Sequence, residues 1–442
     1  MAKFSYKHYV LLLLTVVATF NYLDRFVLSL AMESIKQEFE LSDSHLGFLT
    51  GFAFASFYAV AGIPIARWAD RGNRNVIVTL TTALWSVMVA FCGLAYSYVQ
   101  LLLVRVGVAI GEAGCLPPAS SIIADYYDRA ERPRAMAVYW LCGPLAVIIG
   151  YLLGGWLIGK VGWRLTFILI GMPGIFLALL VKFTLREPRL QRPPEIIKSY
   201  PDFKEVLLIL WQRRALRSIV IAFSVAYFFG LGFAQWLPAF FMRSHGMEAH
   251  EIGTWFAITW GGLGFLGTYV GGVLTNRYAS CQEALQLRWI AVAFFISGAL
   301  YLMVFLSGNQ YHAIGYMALA GVVNAMCNGP IFSAVQNLVT DNMRSATLAI
   351  IFLLANFIGL GLGPLTVGVF SDLLEPTFGQ ESLRYSMALF TPGLAWVGYF
   401  YWQASKTIEA EIQATEKQGR CSGEVIGETK EGKSSKSFLV DH

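Results

Sequence analysis

Apolar residues in this chain come in blocks long enough to cross a bilayer, separated by shorter polar stretches. A helix needs roughly 20 mostly apolar residues to span the hydrocarbon core. The pattern predicts twelve such helices, at residues 8–32, 45–69, 76–95, 98–124, 134–159, 163–185, 216–242, 250–275, 284–307, 311–339, 344–372 and 383–405. The first block follows Lys3, Lys7 and His8 as a signal peptide would. It is too long for a signal core and lacks a small-residue cleavage site, so it is expected to be retained. Segment 186–215 is the one long internal connection, rich in Arg, Lys and Pro, and Val206 to Trp211 within it suit a short amphipathic helix on the membrane surface. The expected organisation is a six-helix half at 1–185, a linker at 186–215, a second six-helix half at 216–405 and a polar, disordered tail at 406–442.

The halves repeat. Ala66-x-x-x-Asp70-Arg71 after the second predicted helix matches Gly272-x-x-x-Asn276-Arg277 after the eighth. Arg134-Ala-Met-Ala matches Arg344-Ser-Ala-Thr, and Gly143-Pro144-Leu145 matches Gly363-Pro364-Leu365. Three matches in order, at offsets of 206, 210 and 220 residues, imply two parallel halves related by an axis along the membrane normal. That is the repeat pattern of major facilitator transporters. The fold class expected is an all-α membrane protein of two pseudo-symmetric six-helix bundles.

Composition agrees: 56% of residues are hydrophobic and 14% charged, against about 25% charged in a soluble protein. The net charge of +5 implies no nucleic-acid partner. Its placement is more informative. Of the Lys and Arg outside the membrane, 26 fall on the side of the termini and the even-numbered connections and 5 on the other. That bias predicts that both termini are cytoplasmic, in a multi-pass protein of the cell membrane. Six scattered cysteines, four of them within apolar segments, and six histidines, none of which lies deep in a predicted helix, form no metal site or disulfide framework. No cofactor, metal or catalytic cluster is expected, and the chain is expected to act as a monomer.

Charge inside the blocks changes the picture most. Asp24 and Arg25 are adjacent in the first helix; Arg105 and Glu112 lie seven apart in the fourth, on one face about 10 Å from each other. A charge at such depth costs about 3 kcal/mol or more and must face protein or a water-filled cavity. Two readings follow: a static network pinning helices together, or a substrate and proton site, since buried carboxylates lose hydration and readily carry protons. On the second reading Asp24 and Glu112 accept protons, and Arg25, Arg105 and Glu112 touch substrate. The C-terminal half has no charge of comparable depth. It offers Tyr227, Gln235, Trp236, Trp255, Trp260, Asn324, Asn328, Asn337 and Asn356 as a wall suited to an apolar or amphipathic molecule. At the helix ends, Asp70, Arg71, Arg74, Arg134 and Arg277 are candidates for a latch that shuts the cytoplasmic side.

Asn21-Tyr22-Leu23-Asp24-Arg25, Ala69-Asp70-Arg71, and Arg105 with Gly111-Glu112-Ala113 before Pro117 resemble the Spinster family within the major facilitator superfamily. The resemblance is strong over 1–185 and mainly topological beyond. It implies a transporter of lysophospholipid- or sphingosine-1-phosphate-like lipids, coupled to protons, with Asp24, Arg25, Arg105 and Glu112 as the substrate and coupling site. Asn276, in the place of the acid, departs from the superfamily's loop pattern and weakens the second latch. The rival within transporters is a proton-coupled exporter of drugs or small organic anions. A membrane lipid receptor or enzyme would need a signalling domain or catalytic cluster, and neither is visible.

Overall fold

The computed structural model describes residues 6–128, 130–188, 203–279, 282–339 and 343–414. Among them there is no strand, and ten helical stretches are long and apolar enough to cross a membrane. Two of the ten, Arg132–Thr184 and Ala346–Ser405, run to 53 and 60 residues and each hold two crossings. The total is therefore twelve. The first six are α1 (Tyr6–Phe39), α2 (Asp43–Ala69), α3 (Arg74–Cys92), α4 (Tyr98–Tyr126), α5 (132–161) and α6 (163–184). After the linker come α7 (Arg214–His245), α8 (Ala249–Tyr278), α9 (Glu283–Leu306), α10 (Gln310–Asn337), α11 (344–378) and α12 (382–405).

Local sequence explains the boundaries. Asn73, Ser97 and Asn309 sit in extended backbone just before α3, α4 and α10, and their side chains accept from the first free backbone N–H groups. Gly162 stands between α5 and α6 at φ 77° and ψ 168°, a region essentially closed to residues with a Cβ. It lets the two helices join with no intervening loop. Pro117 and Pro118 lack N–H donors, so α4 stops at Glu112 and restarts at Leu116. Three single π-helical turns interrupt α2, α8 and α11, at Phe48–Ala53, Ala257–Gly262 and Phe357–Leu362.

The linker helix, Phe203–Gln212, exposes Leu207, Leu208 and Trp211, as an amphipathic surface helix would. Residues 189–202, the middle of the predicted linker, lie outside the described residues, as do 415–442 of the predicted tail. The expected start of disorder at 406 is revised by the structure. Helical backbone continues over 408–414, Ile408 is fully buried, and Glu411 Oε1 accepts from the Ala215 backbone N–H at 2.9 Å. An apolar residue and a carboxylate that fills the start of α7 tie this segment down.

Glycine sets how closely helices approach. Within the N-terminal half, a methyl group on Gly171 of α6 would sit 2.6 Å from the Ser86 carbonyl of α3. Between the halves, a methyl on Gly47 would meet the Pro364 carbonyl at 2.5 Å, and one on Gly155 the Ala249 carbonyl at 2.5 Å. These α2–α11 and α5–α8 contacts lie toward the end of the bundle remote from the termini, where the two halves are pressed together. At the termini end, Arg71, Arg134 and Arg277 are exposed. Gly171→Ala should destabilise the fold by about 1–3 kcal/mol, because α3 and α6 would have to separate. Thermal unfolding of the purified variant in detergent checks this, and an unchanged midpoint would mean the contact has slack.

Candidate functional site

Asp24 and Arg25 lie near the middle of α1, and consecutive helix residues point about 100° apart, so they take different partners. Both partners are on α4. Asp24 Oδ2 accepts from Arg105 Nη1 at 2.5 Å; Glu112 Oε2 accepts from Arg25 Nη2 at 2.5 Å and from Nε at 3.0 Å. The four side chains form two ion pairs with no net charge, wholly inside the N-terminal half. Asp24, Arg105 and Glu112 are 1–2% exposed. The Arg25 side chain, at 20%, is the member that faces open space.

Aromatic rings complete the setting. The Arg25 guanidinium stands 4.8 Å from the Phe54 ring, 5.0 Å from Tyr22 and 5.5 Å from Tyr58. Phe54 also faces Arg105 at 5.2 Å, so one ring of α2 lies against both cations. Ring faces attract cations while excluding water. The pairs are incompletely satisfied: Asp24 Oδ1, Glu112 Oε1 and Asn21 Nδ2 have no hydrogen-bond partner among the described residues. Each carboxylate therefore keeps one oxygen available to bind a proton or a water. Glu112 owes its position to the helix break it precedes and to Gly111, where a methyl group would lie 2.6 Å from the Trp85 backbone nitrogen on α3.

The polar residues expected of the C-terminal half are brought together elsewhere. Tyr227, Asn324 and Asn328 line a cavity of about 240 Å³ between α7, α9, α10 and α12. Its wall is otherwise apolar and aromatic, including Phe223, Phe294, Tyr301 and Tyr401. Trp236 is not part of it: fully buried, it donates Nε1–H to the Pro364 carbonyl at 2.8 Å and fastens α7 to α11.

Of the expected latch, the Asp70 side chain lies outside the described residues, and Arg71, Arg134 and Arg277 are solvent-exposed. Arg74 departs from the expectation. It is fully buried, donates to Ser121 at 2.8 Å, and pairs with Asp125 and with Glu187 just beyond α6. A guanidinium ringed by two carboxylates of its own half holds α3, α4 and the end of α6 together and does not reach across. A cross-half cluster around Asp43 and Arg243, at the opposite end, was not anticipated. Both residues stand at helix ends, where a lone charge reads as ordinary solvation.

Against this geometry the comparisons with known proteins can be set. The model of the Major Facilitator Superfamily matches residues 14–364. An MFS-type efflux pump of Mycolicibacterium smegmatis is 33% identical over 405 residues, covering 90% of this chain and 92% of its own. Protein spinster homolog 1 of Xenopus tropicalis is 24% identical over 417 residues, covering 87% of this chain and 78% of its own. Among solved structures, a bacterial homologue of the human lysosomal transporter Spinster, inward-facing and unoccupied, is similar with a TM-score of 0.84. It is 31% identical, covering 93% of this chain and 99% of that one.

The chain belongs to the Major Facilitator Superfamily and is a multi-pass membrane transporter, not an enzyme. Within the superfamily it groups with the Spinster family, as the residues around Asp24 and Glu112 imply.

Gly111→Ala should displace Glu112 while leaving every charge in place. Transport is expected to fall well below wild type, with the protein still inserted and monodisperse. Uptake into proteoliposomes alongside size-exclusion chromatography checks this; wild-type uptake would mean the α3–α4 contact does not position Glu112.

Proposed function

We propose that this protein moves an amphipathic anionic lipid, of the lysophospholipid or sphingosine-1-phosphate type, by proton-coupled alternating access across the cell membrane, with both termini cytoplasmic. The observation that carries the reading is Arg25: partly open to space, ringed by aromatic faces, and held by one carboxylate. A guanidinium fork matches two phosphate oxygens. An incoming phosphate competes with Glu112 for that fork. A carboxylate deprived of its buried partner is costly to keep charged, so Glu112 takes up a proton as the anion binds. Its unpartnered Oε1 offers the place. Anion and proton then occupy the site together, and Asp24, held by Arg105, serves as the second acceptor on the same helix pair. The aromatic cavity with Tyr227, Asn324 and Asn328 supplies surface for the apolar part of the substrate.

With cytoplasmic termini, the compacted end of the bundle is the outer one and the conformation is inward-facing, in keeping with the inward-facing Spinster homologue it resembles. Asp70, Arg71, Arg134 and Arg277 then belong to the inner latch of the alternate conformation, and Arg71, Arg134 and Arg277 are exposed here. The protein is expected to work as a monomer, each chain holding a complete site.

A second reading, export of drugs or small organic anions, is favoured by the efflux pump that resembles this chain over most of its length. A cavity of about 240 Å³ also takes only on the order of eight groups the size of a water. Proteoliposomes with an imposed pH gradient, offered matched lysolipids and small anions, separate the two readings.

Glu112→Gln and Asp24→Asn should each sharply reduce gradient-driven transport while sparing folding, because a neutral isostere removes no volume. Wild-type rates in both would remove the coupling assignment. Arg25→Lys should weaken binding of a phosphate-bearing lysolipid about tenfold or more, by loss of the charge-assisted fork. Binding of lipid pairs with and without the phosphate checks this. If wild type binds both equally, Arg25 is not the head-group partner.

A further inference from the structure

The cavity of about 240 Å³ in the C-terminal half occupies the place that the ion pairs hold in the other half. Helix ends give the register. α1 ends at Phe39 and α7 at His245, an offset of 206 residues, and α2 and α8 start at Asp43 and Ala249, again 206 apart. By that register Gly230 and Leu231 stand where Asp24 and Arg25 stand. α4 and α10 start at Tyr98 and Gln310, and after their breaks they restart at Leu116 and Asn328, an offset of 212 at both points. That puts Met317 in the place of Arg105 and Asn324 in the place of Glu112. Four charges are answered by a glycine, two apolar side chains and a neutral amide. Three of these, Gly230, Leu231 and Asn324, line the cavity.

The missing side chain leaves space. A methyl group on Gly230 would meet no atom within 4 Å, unlike one on Gly47, Gly155 or Gly171. Close helix approach therefore does not account for this mid-helix glycine, which is unfavourable relative to alanine. Phe223 and Tyr227 of α7 wall the space, and on the far side the rings of Phe294 on α9 and Tyr401 on α12 stack at 5.7 Å. The lining also holds hydrogen-bonding groups with nothing to bond. Tyr401 is fully buried, and neither its hydroxyl nor Asn324 Oδ1 has a hydrogen-bond partner among the described residues. A buried polar group left unpaired is costly, so an occupant that supplies the bond is favoured over one that does not. Water would make those bonds but leave the aromatic walls wetted. Every residue that lines the cavity is uncharged, so a charged occupant would lose hydration and gain no counter-charge.

We propose that this cavity is a binding site for a neutral aromatic alcohol of one ring, a phenol in the simplest case. Room for on the order of eight water-sized groups matches a single ring with one substituent. The ring finds faces and edges to pack against in the walls. A hydroxyl both donates and accepts, so it suits Tyr401 and suits Asn324 whichever way the amide is turned. The inference uses the lining and the repeat alone, not the lipid or the proton assignments. On the lipid reading, the ring competes with the apolar part of the substrate.

Fluorine NMR of 4-fluorophenol and fluorobenzene, with the protein in nanodiscs and empty nanodiscs subtracted, reads binding directly. Wild type should bind 4-fluorophenol saturably, with phenol displacing it and benzoate not. Gly230→Leu fills the space and should remove saturable binding of both probes. Asn324→Leu and Tyr401→Phe should each lower the affinity for 4-fluorophenol about 3- to 10-fold relative to fluorobenzene, since only the phenol loses a hydrogen bond. Comparing each probe between wild type and variant cancels its partitioning into lipid. No saturable binding in wild type, displacement by benzoate, binding that survives Gly230→Leu, or equal loss of both probes in the two polar variants would each overturn the proposal. If Gly230→Leu does not fold, Gly230→Ala takes its place, with a smaller loss expected and no loss counting against the site. Neither lysolipid nor a pH gradient is present, so failure here is distinct from failure of the lipid or proton assignments.

Discussion

A charge enclosed by a membrane-spanning bundle must find its counter-charge in the protein, and where that counter-charge resides decides what the charge can do. In the N-terminal half the answer is local. Asp24 takes Arg105 and Arg25 takes Glu112, so the half carries its own neutral set through any rigid movement. At the termini end Arg74 is likewise held within its own half, by Glu187 and Asp125, a set with one carboxylate in excess. The Asp43 cluster answers the same need across the boundary, where Arg243 of the C-terminal half pairs with Asp43 and Glu33 of the N-terminal half, so these pairs last only while the halves meet at that end. One electrostatic constraint thus separates a permanent scaffold of charge from a conditional one.

Packing follows the same division. Inside each half, residues such as Gly111 and Gly171 admit a neighbouring helix to backbone contact and hold functional side chains in register. Between the halves, Gly47, Gly155 and Gly253 do so along α2–α11 and α5–α8, where contact is made and lost. The site lies between these regimes. Its ion pairs belong to the scaffold, while α2, whose Phe54 lies against Arg25, is bonded to α11 at its start.

The fold was largely legible from the chain. Twelve apolar blocks, a basic bias in alternate connections and three repeated motifs imply two six-helix bundles, and the structure has them. The four central charges were legible because charge within an apolar block has no other reason to persist. Their pairing was not, since the sequence does not say whether each charge is neutralised within its own helix or across the two until the helices dock. The partners of Arg74 were not legible because a basic residue at a helix end looks the same in sequence whether solvated or buried; only the fold brings Glu187 beneath it. Asp43 and Arg243 stand 200 residues apart and Asp43 and Ser371 328 apart, each at a helix end, so no local pattern joined them. The ordered stretch after 405 was missed because two residues, Ile408 and Glu411, outweigh a polar composition.

The π-helical turns in α2, α8 and α11 bear on how such a molecule can change over evolutionary time. A π turn is a helix carrying one residue more than its neighbours require. Removing a single residue from Phe48–Ala53, Ala257–Gly262 or Phe357–Leu362 would restore regular winding and leave everything beyond facing as before, whereas a deletion elsewhere in the same helix rotates everything beyond it by roughly 100°. Chain length can therefore change at these turns without changing which side chains line the gap between the bundles. Related transporters can thus differ by one residue in a helix while presenting the same faces to their cargo, the π turn marking where the extra residue was absorbed.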